Sequence, residues 1–493
     1  MEKPTFSGTF YQIIIPSFCD GNGDGIGDLQ GLIHRLDYLQ DLGIEGIWLS
    51  PIHPSETFHK YDVLDYYAVS PDLGTMEDLE TLIDQCHKRG IRILLDLVFN
   101  CCSWHHPAFQ KALEDPNCPQ RRWFWFDDTP QAAAFDRNSV WNNLPSWRET
   151  EDGQKYIGIY SPVMPDFNFH DAGLRQECKR IARFWLEKGV DGFRLDSAMH
   201  LFSSSEVDPG VSYNALNIAW WDEFRSFCRS VRPDCLLVGE VWTESNERAL
   251  YYRGLDSTFH FYLGNDIADL IKGNLSMPVF VRRLESACLA ASLVSRDYVD
   301  APFLSNHDMP RYAETSGFAG EDLKLSAAIL LTMEGIPFVY YGEELGIAPY
   351  PDDFCPAFRK DDLMSRSRTA FPWEEGMCSR RFPKGYRADP MEIQAQDDNS
   401  LLTFYRRMIR LRKECSALRY GRFQAGECTD SILSYDMIWG SERVQLTHNV
   451  SNVPVCVPKV GNAIDLMTGK PPAANETGDR WILLGKHSMI FYI

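Results

Sequence analysis

The chain has 493 residues, 44% hydrophobic and 24% charged, an ordinary globular composition and a length too great for one simple core. Its formal net charge of −20 excludes the basic face that nucleic-acid binding needs and suits a neutral small molecule or sugar. The opening stretch MEKPTFSGTFYQIIIPSF has no long apolar run behind a basic region, so neither a signal peptide nor a membrane span is expected. The 14 scattered cysteines, none in a paired metal-binding spacing, read as reduced thiols of a cytoplasmic protein.

In chain order, short apolar runs alternate with helical patterns. TFYQIII precedes LQGLIHRLDYLQDLG, and IEGIWLSPI precedes TMEDLETLIDQCHKRG. IRILLDLVFN is followed by a long aromatic-rich stretch, after which LRQECKRIARFWLEKG leads into VDGFRLD. CLLVGEVW, STFHFY, YVDAPFLSNHD and GIPFVYYGEE continue the series. Eight strand candidates with intervening helices predict an α/β fold, a parallel (β/α)8 TIM barrel over residues 1–100 and 166–417. The stretch 101–165 is too long for a βα loop and is expected to be an excursion domain after strand 3. The helical pattern stops after LLTFYRRMIRLRKECSAL, and 418–493 reads as a C-terminal antiparallel β-sandwich domain.

The predicted strand ends are polar. Asp96 and Asn100, Arg194 and Asp196, Glu240, and His307 with Asp308 each close an apolar run. Taken singly, each acid is equally well a helix cap or a salt-bridge partner. Asp196, Glu240 and Asp308, three carboxylates at three strand ends of one barrel, converge on one mouth, where the chemistry of this architecture sits. Arg194 and Asp196, two apart on a strand, face the same side. Clustered carboxylates beside an arginine are what glycoside hydrolysis needs.

DLVFN, GFRLD, VGEVW and LSNHD, in this order, resemble the four central motifs of the α-amylase superfamily, glycoside hydrolase family 13. GTFYQIIIPSF, MPDFNF and GIPFVYYGEELG resemble its flanking motifs, and MPDFN is similar to the group intermediate between oligo-1,6-glucosidases and neopullulanases. The resemblance covers nearly the whole chain. It implies that Asp196 is the nucleophile, Glu240 the acid/base and Asp308 the third carboxylate, with Arg194 keeping Asp196 ionised and the Glu240 carboxyl raised. It implies sugar contacts from His59, Tyr61 and Asp62 in FHKYD, from His200 and His307, and from Arg368 and Trp373 at the rim in SRSRTAFPW. Trp373 is equally explained by packing.

Three departures stand out. Lys60 occupies the glycine position of the family's HGYD. Cys101 stands where the family has a histidine that contacts the 6-hydroxyl of the terminal sugar, and His105 or His106 could replace it. Met199 precedes His200 where the amylases carry lysine.

CDGNGDGIGDLQG places Asp20, Asn22, Asp24 and Asp28 at alternating positions with the Ile26 carbonyl between. Its spacing is close to an EF-hand loop, but Gly31 stands where that loop needs a glutamate. The stretch resembles the family's calcium loop after the first barrel strand, which implies one structural Ca²⁺.

The expected function is a retaining hydrolase of α-1,4 links in short maltooligosaccharides, of α-glucosidase or small α-amylase type. A transglycosylase or phosphorylase on the same carboxylates is the alternative. A non-enzymatic member would lack the catalytic carboxylates and carry a membrane anchor. The expected partner is an α-glucan oligosaccharide, with no nucleic acid and no membrane.

Overall fold

The computed structural model describes residues 4–129, 132, 140–141, 144–202, 212–348, 367–374, 389–460 and 464–493. Eight parallel strands form the barrel: β1 (Phe10–Ile13), β2 (Gly46–Leu49), β3 (Arg92–Leu97), β4 (Gly192–Leu195), β5 (Leu236–Gly239), β6 (Ser257–His260), β7 (Val299–Pro302) and β8 (Phe338–Tyr340). They neighbour one another in sequence order, β8 pairs with β1, and a parallel bridge between Phe303 and Phe338 closes the ring. This is the expected TIM barrel.

The two faces of each strand go to two different cores, as the two-residue period of a strand requires. Phe10, Trp48, Leu94, Leu236, Val238, Phe259, Ala301 and Phe338 fill the interior. Tyr11, Ile47, Ile93, Leu95, Phe193, Leu195 and Leu237 pack outward under the helices. The inward parity decides the site: it runs from Leu94 to Asp96, through Arg194 to Asp196, and from Val238 to Glu240. The surrounding helices start on side-chain caps. Thr75 and Asp78 form a reciprocal capping box at Met76–Lys88, and Asp171 caps Ala172–Glu187.

Between β3 and β4 lie the helix Pro107–Glu114 and a hairpin of Trp147–Glu149 with Lys155–Ile157. They pack on an aromatic cluster of Phe109, Phe124, Phe126 and Tyr156. The segment returns to the barrel through a bridge between Cys101 and Asp166. Much of 130–143 lies outside the described residues.

After the helix Leu401–Glu414, the short helix Ser416–Tyr420 leads into an antiparallel sheet of β9 (Arg422–Ala425), β10 (Ile432–Trp439), β11 (Glu442–Asn449) and β14 (Ser488–Tyr492). A ribbon of β12 (Val455–Pro458) and β13 (Arg480–Leu483) packs on one face around Ile432, Val457, Trp481 and Phe491. Buried Arg412 binds the barrel to the preceding helix, donating to the carbonyls of Leu331, Met333 and Gly335 at 2.9, 2.8 and 2.5 Å.

Adjacent buried acids follow β8. Glu344 accepts from the hydroxyls of Tyr11 and Tyr38, both at 2.6 Å, and Glu343 accepts from Ser305 at 2.5 Å. Burial pushes the Glu343 carboxyl up to about 8, against roughly 4.3 when unfolded. The folded chain therefore holds a proton that the unfolded chain has released. This contribution is fully present below the unfolded value and is lost as pH rises toward the folded one. Glu343→Gln, which never ionises, should gain melting temperature relative to wild type between about pH 5 and pH 8.5. A difference that stays flat across this range, followed by thermal melts, would contradict the buried-acid account.

Candidate active site

At the carboxyl end of the barrel one guanidinium gathers three strands. Arg194 is 1% exposed. Its Nη1 donates to Asp96 Oδ1 at 2.9 Å and to Asp196 Oδ1 at 2.5 Å, and its Nη2 donates to Glu240 Oε2 at 2.7 Å. Its Nε is buried without a partner, and its plane lies over Trp48 with Cζ 5.0 Å from the ring centroid. Trp48 Nε1 in turn donates to Asp96 Oδ2 at 3.1 Å. Asp196 and Glu240 thus sit on opposite prongs of one cation.

The chain after Asp196 turns through Ser197 at φ +40°, a left-handed backbone rare outside glycine. That turn aims the Ser197 N–H at Glu240 Oε2, 2.8 Å away. Asn100 Nδ2 holds the Asp196 carbonyl at 2.8 Å. With Oε2 accepting two donors, Oε1 is the atom of Glu240 left to carry a proton.

Three carboxyls share the one guanidinium. Burial, together with Glu240 and Asp96, pushes Asp196 well above the usual carboxylate range against the pull of Arg194. Burial raises Asp96 too. The expectation that Arg194 keeps Asp196 ionised is corrected in this respect: Arg194 pulls the carboxyl down, but burial and the neighbouring acids outweigh it.

Asp308 has the opposite environment. Although burial opposes ionisation, His307 and Arg368 hold its carboxyl well below the usual range. Its Oδ2 lies 2.9 Å from His307 Nε2 and its Oδ1 accepts from Arg368 Nη2 at 3.0 Å. Gln12 Nε2, 2.7 Å from His307 Nδ1, donates to that nitrogen and leaves the ring proton on Nε2. Tyr61 stacks on His307 at 5.6 Å and 8° and donates to Asp96 Oδ2 at 3.1 Å.

The other expected residues divide. Arg368 is 5% exposed and grips Asp308 rather than lining a rim. Trp373 is corrected to a packing residue: it is 3% exposed, its Nε1 donates to the Phe18 carbonyl at 2.7 Å, and Phe18, Tyr38 and Phe371 surround its ring. Asp62 is buried and accepts from Ser55 at 2.5 Å and from Thr57, closing its own loop. His59 Nδ1 accepts from the Tyr61 N–H at 3.0 Å. Burial lowers His200 to about 4, so it is neutral near pH 7.

Cys101 is buried, and burial with nearby Asp166 and Asp196 raises its thiol far above the ordinary value. His106 caps Ala108 at 3.2 Å and packs on Tyr66 and Phe167, while His105 pairs with Glu56 at 3.6 Å. Sequence reading overlooked Gln12, Trp48 and Tyr160. Tyr160, from the inserted segment, hydrogen-bonds Ser197 beside Asp196. A lone glutamine inside TFYQIII, on the parity of Phe10, was the available signal for Gln12.

In the loop after β1, Asp20 accepts from the N–H groups of Gly23 and Gly25, each at 2.7 Å. Asn22 accepts from Asp24 at 2.9 Å and Asp24 from Ile26 at 2.8 Å. Asp28 caps the next helix through Gly31 N–H at 2.6 Å. A Cβ on Gly31 would lie 2.0 Å from the Cys19 carbonyl, so the glutamate of an EF-hand cannot stand there. The loop offers only hard oxygen donors, and no three acidic, His or Cys side chains converge on a metal-sized position among the described residues.

A family model described as the alpha amylase catalytic domain matches residues 12–421. Alpha-amylase 3 of Dictyoglomus thermophilum is 36% identical over 449 residues, covering 90% of this chain and 85% of that protein. A 4-alpha-glucanotransferase of Thermotoga maritima is 30% identical over 457 residues, covering 90% and 96%. The crystal structure of an alpha-amylase from H. orenii superposes with a TM-score of 0.87 at 32% identity, covering 100% of both chains.

The raised Asp196 carboxyl sets a pH profile for catalysis at this cluster. As pH falls, protonation removes its charged form. The plot of kcat/KM against pH should have its acid limb above the ordinary aspartate value of about 3.9. An acid limb at or below that value would show that Asp196 titrates as an isolated carboxyl.

Proposed function

The chain belongs to the α-amylase family and is a glycoside hydrolase of α-glucosides; from that premise we propose that it cleaves α-1,4 links of short maltooligosaccharides by double displacement. The observation that carries this is Arg194 holding Asp96, Asp196 and Glu240 together at three strand ends. Asp196 attacks the anomeric carbon while Glu240 gives its proton to the leaving oxygen. A covalent glycosyl-enzyme forms, and the leaving sugar departs protonated. Glu240, now a base, takes a proton from water as that water attacks the same carbon, which restores Asp196 and retains the configuration. Asp308, Tyr61 and His307 bind the sugar ring, and Arg368 keeps Asp308 charged.

A second reading is transfer, in which a sugar hydroxyl replaces water in the second step. The Thermotoga maritima glucanotransferase relative favours it. Resolving products of maltotriose by size, with and without added acceptor sugar or phosphate, separates hydrolysis from transfer and phosphorolysis.

The proposal includes one structural Ca²⁺ held by Asp20, Asn22, Asp24, Asp28 and the Ile26 carbonyl. Oxygen-only donors support it, as do the lone pairs that the exposed Asn22 and Asp24 keep after their backbone bonds. When bound, the ion would neutralise the acidic loop. A cytoplasmic location is supported by the absence of any pairing among the twelve cysteines of the described residues. No helix of the described residues is long and apolar enough to cross a membrane.

Asp196→Ala and Glu240→Gln should each keep the fold and lower turnover on an unactivated oligosaccharide by about 10²–10⁴ or more. A folded variant with near wild-type turnover would remove the assignment. Calcium should raise the melting temperature of wild type, because it binds only the folded loop, and should not raise that of Asp24→Ala. An equal response in both proteins would place the ion elsewhere.

A further inference from the structure

The loop after β2 carries Tyr61 on an uncommon backbone. Lys60 adopts φ +62°, in the region that disfavours every residue with a Cβ. Its side chain is 3% exposed, and Nζ donates to Ser70 Oγ and to Asp72, both at 2.9 Å. The Ser70 hydroxyl also donates to Asp72, and the Ser70 N–H is anchored on the Ile52 carbonyl at 2.7 Å. A left-handed lysine and a buried ammonium both cost free energy. They persist together only where their surroundings over-determine them.

What this arrangement holds is the next residue. Ser55 and Val63 bridge at the base of the loop, and Leu64 N–H donates to the Pro54 carbonyl at 2.9 Å. Lys60 ties the far side of the loop to the turn at 70–72. Between these two anchors the Tyr61 phenol is delivered to Asp96 and His307. Among the described residues three non-glycines have a left-handed backbone, and two of them, Lys60 and Ser197, adjoin a site side chain.

We infer that the ion pair between Lys60 and Asp72 is a positioning device for the reaction: it locks residue 60 in the left-handed conformation and so sets the direction in which Tyr61 leaves the loop. Lys60 touches neither sugar nor reacting atoms. It acts through Tyr61, and the inference rests on the reading that Tyr61 binds the sugar at the point of cleavage.

The experiment is a double-mutant cycle of Lys60→Gly and Tyr61→Phe, read as kcat, KM and melting temperature. Glycine accepts the left-handed backbone, so Lys60→Gly removes the ammonium without forcing the turn. Tyr61→Phe by itself should lower kcat; unchanged kcat removes the reading of Tyr61 and the inference with it. Lys60→Gly in the wild-type background should lower kcat about tenfold with KM within about twofold, and Lys60→Arg should recover part of the loss. In the Tyr61→Phe background the same change should cost no further kcat, while its effect on melting temperature persists. Wild-type kcat in Lys60→Gly, or an equal fold-loss in both backgrounds, overturns the inference and leaves the hydrolase reading intact. If Lys60→Gly fails to fold, Asp72→Asn, whose side chain is 47% exposed, takes its place in the cycle with the same expected outcomes.

Discussion

The site depends on a buried guanidinium that faces more carboxylates than it can neutralise. Arg194 contacts Asp96, Asp196 and Glu240 with two nitrogens, and Trp48 covers its plane. A lysine would place a point charge there without the planar fork that spans two prongs. Removing such a buried cation would leave three acids facing one another in a low-dielectric interior, which is why the arrangement is both costly to bury and chemically useful. Burial in this crowd of acids raises the carboxyls of Asp196 and Asp96 against the pull of Arg194.

The rest of the barrel mouth fixes the partners of each acid by geometry. Ser197 gives up a relaxed backbone so that its N–H reaches Glu240. Asp308 is held charged by its own partners, His307 and Arg368. The two catalytic environments are therefore separated although both lie at one barrel end: an electron-rich cluster on β3, β4 and β5, and a compensated carboxylate after β7. Tyr61 joins them, because its hydroxyl meets both Asp96 and His307.

The scaffold makes this possible because a closed parallel barrel has no free edge and a filled interior. Phe10, Trp48, Phe259 and Phe338 pack below the site. Strand ends on such a base are rigid, and loops can vary above them without moving the carboxylates. The inserted segment uses that freedom, returning at Asp166 beside Cys101 and bringing Tyr160 to Ser197.

The sequence by itself determined the barrel, the order of its strands and the three carboxylates, because strand periodicity and strand-end polarity are local patterns. Arg194 and Asp196 share a face by spacing alone. It could not determine which acid is raised, since that depends on Asp96 and Glu240 arriving from other strands, 98 and 46 positions from Arg194. Trp373 and Arg368, five residues apart in one motif, go to different places: packing against Phe18, Tyr38 and Phe371 claims the indole, whereas the charge of Asp308 claims the guanidinium. Gln12 and Lys60 gained their roles only through partners brought in by tertiary contacts, His307 across 295 positions and Asp72 across a loop. Local sequence sets what each residue can donate or accept. Only the closed barrel decides what stands opposite it.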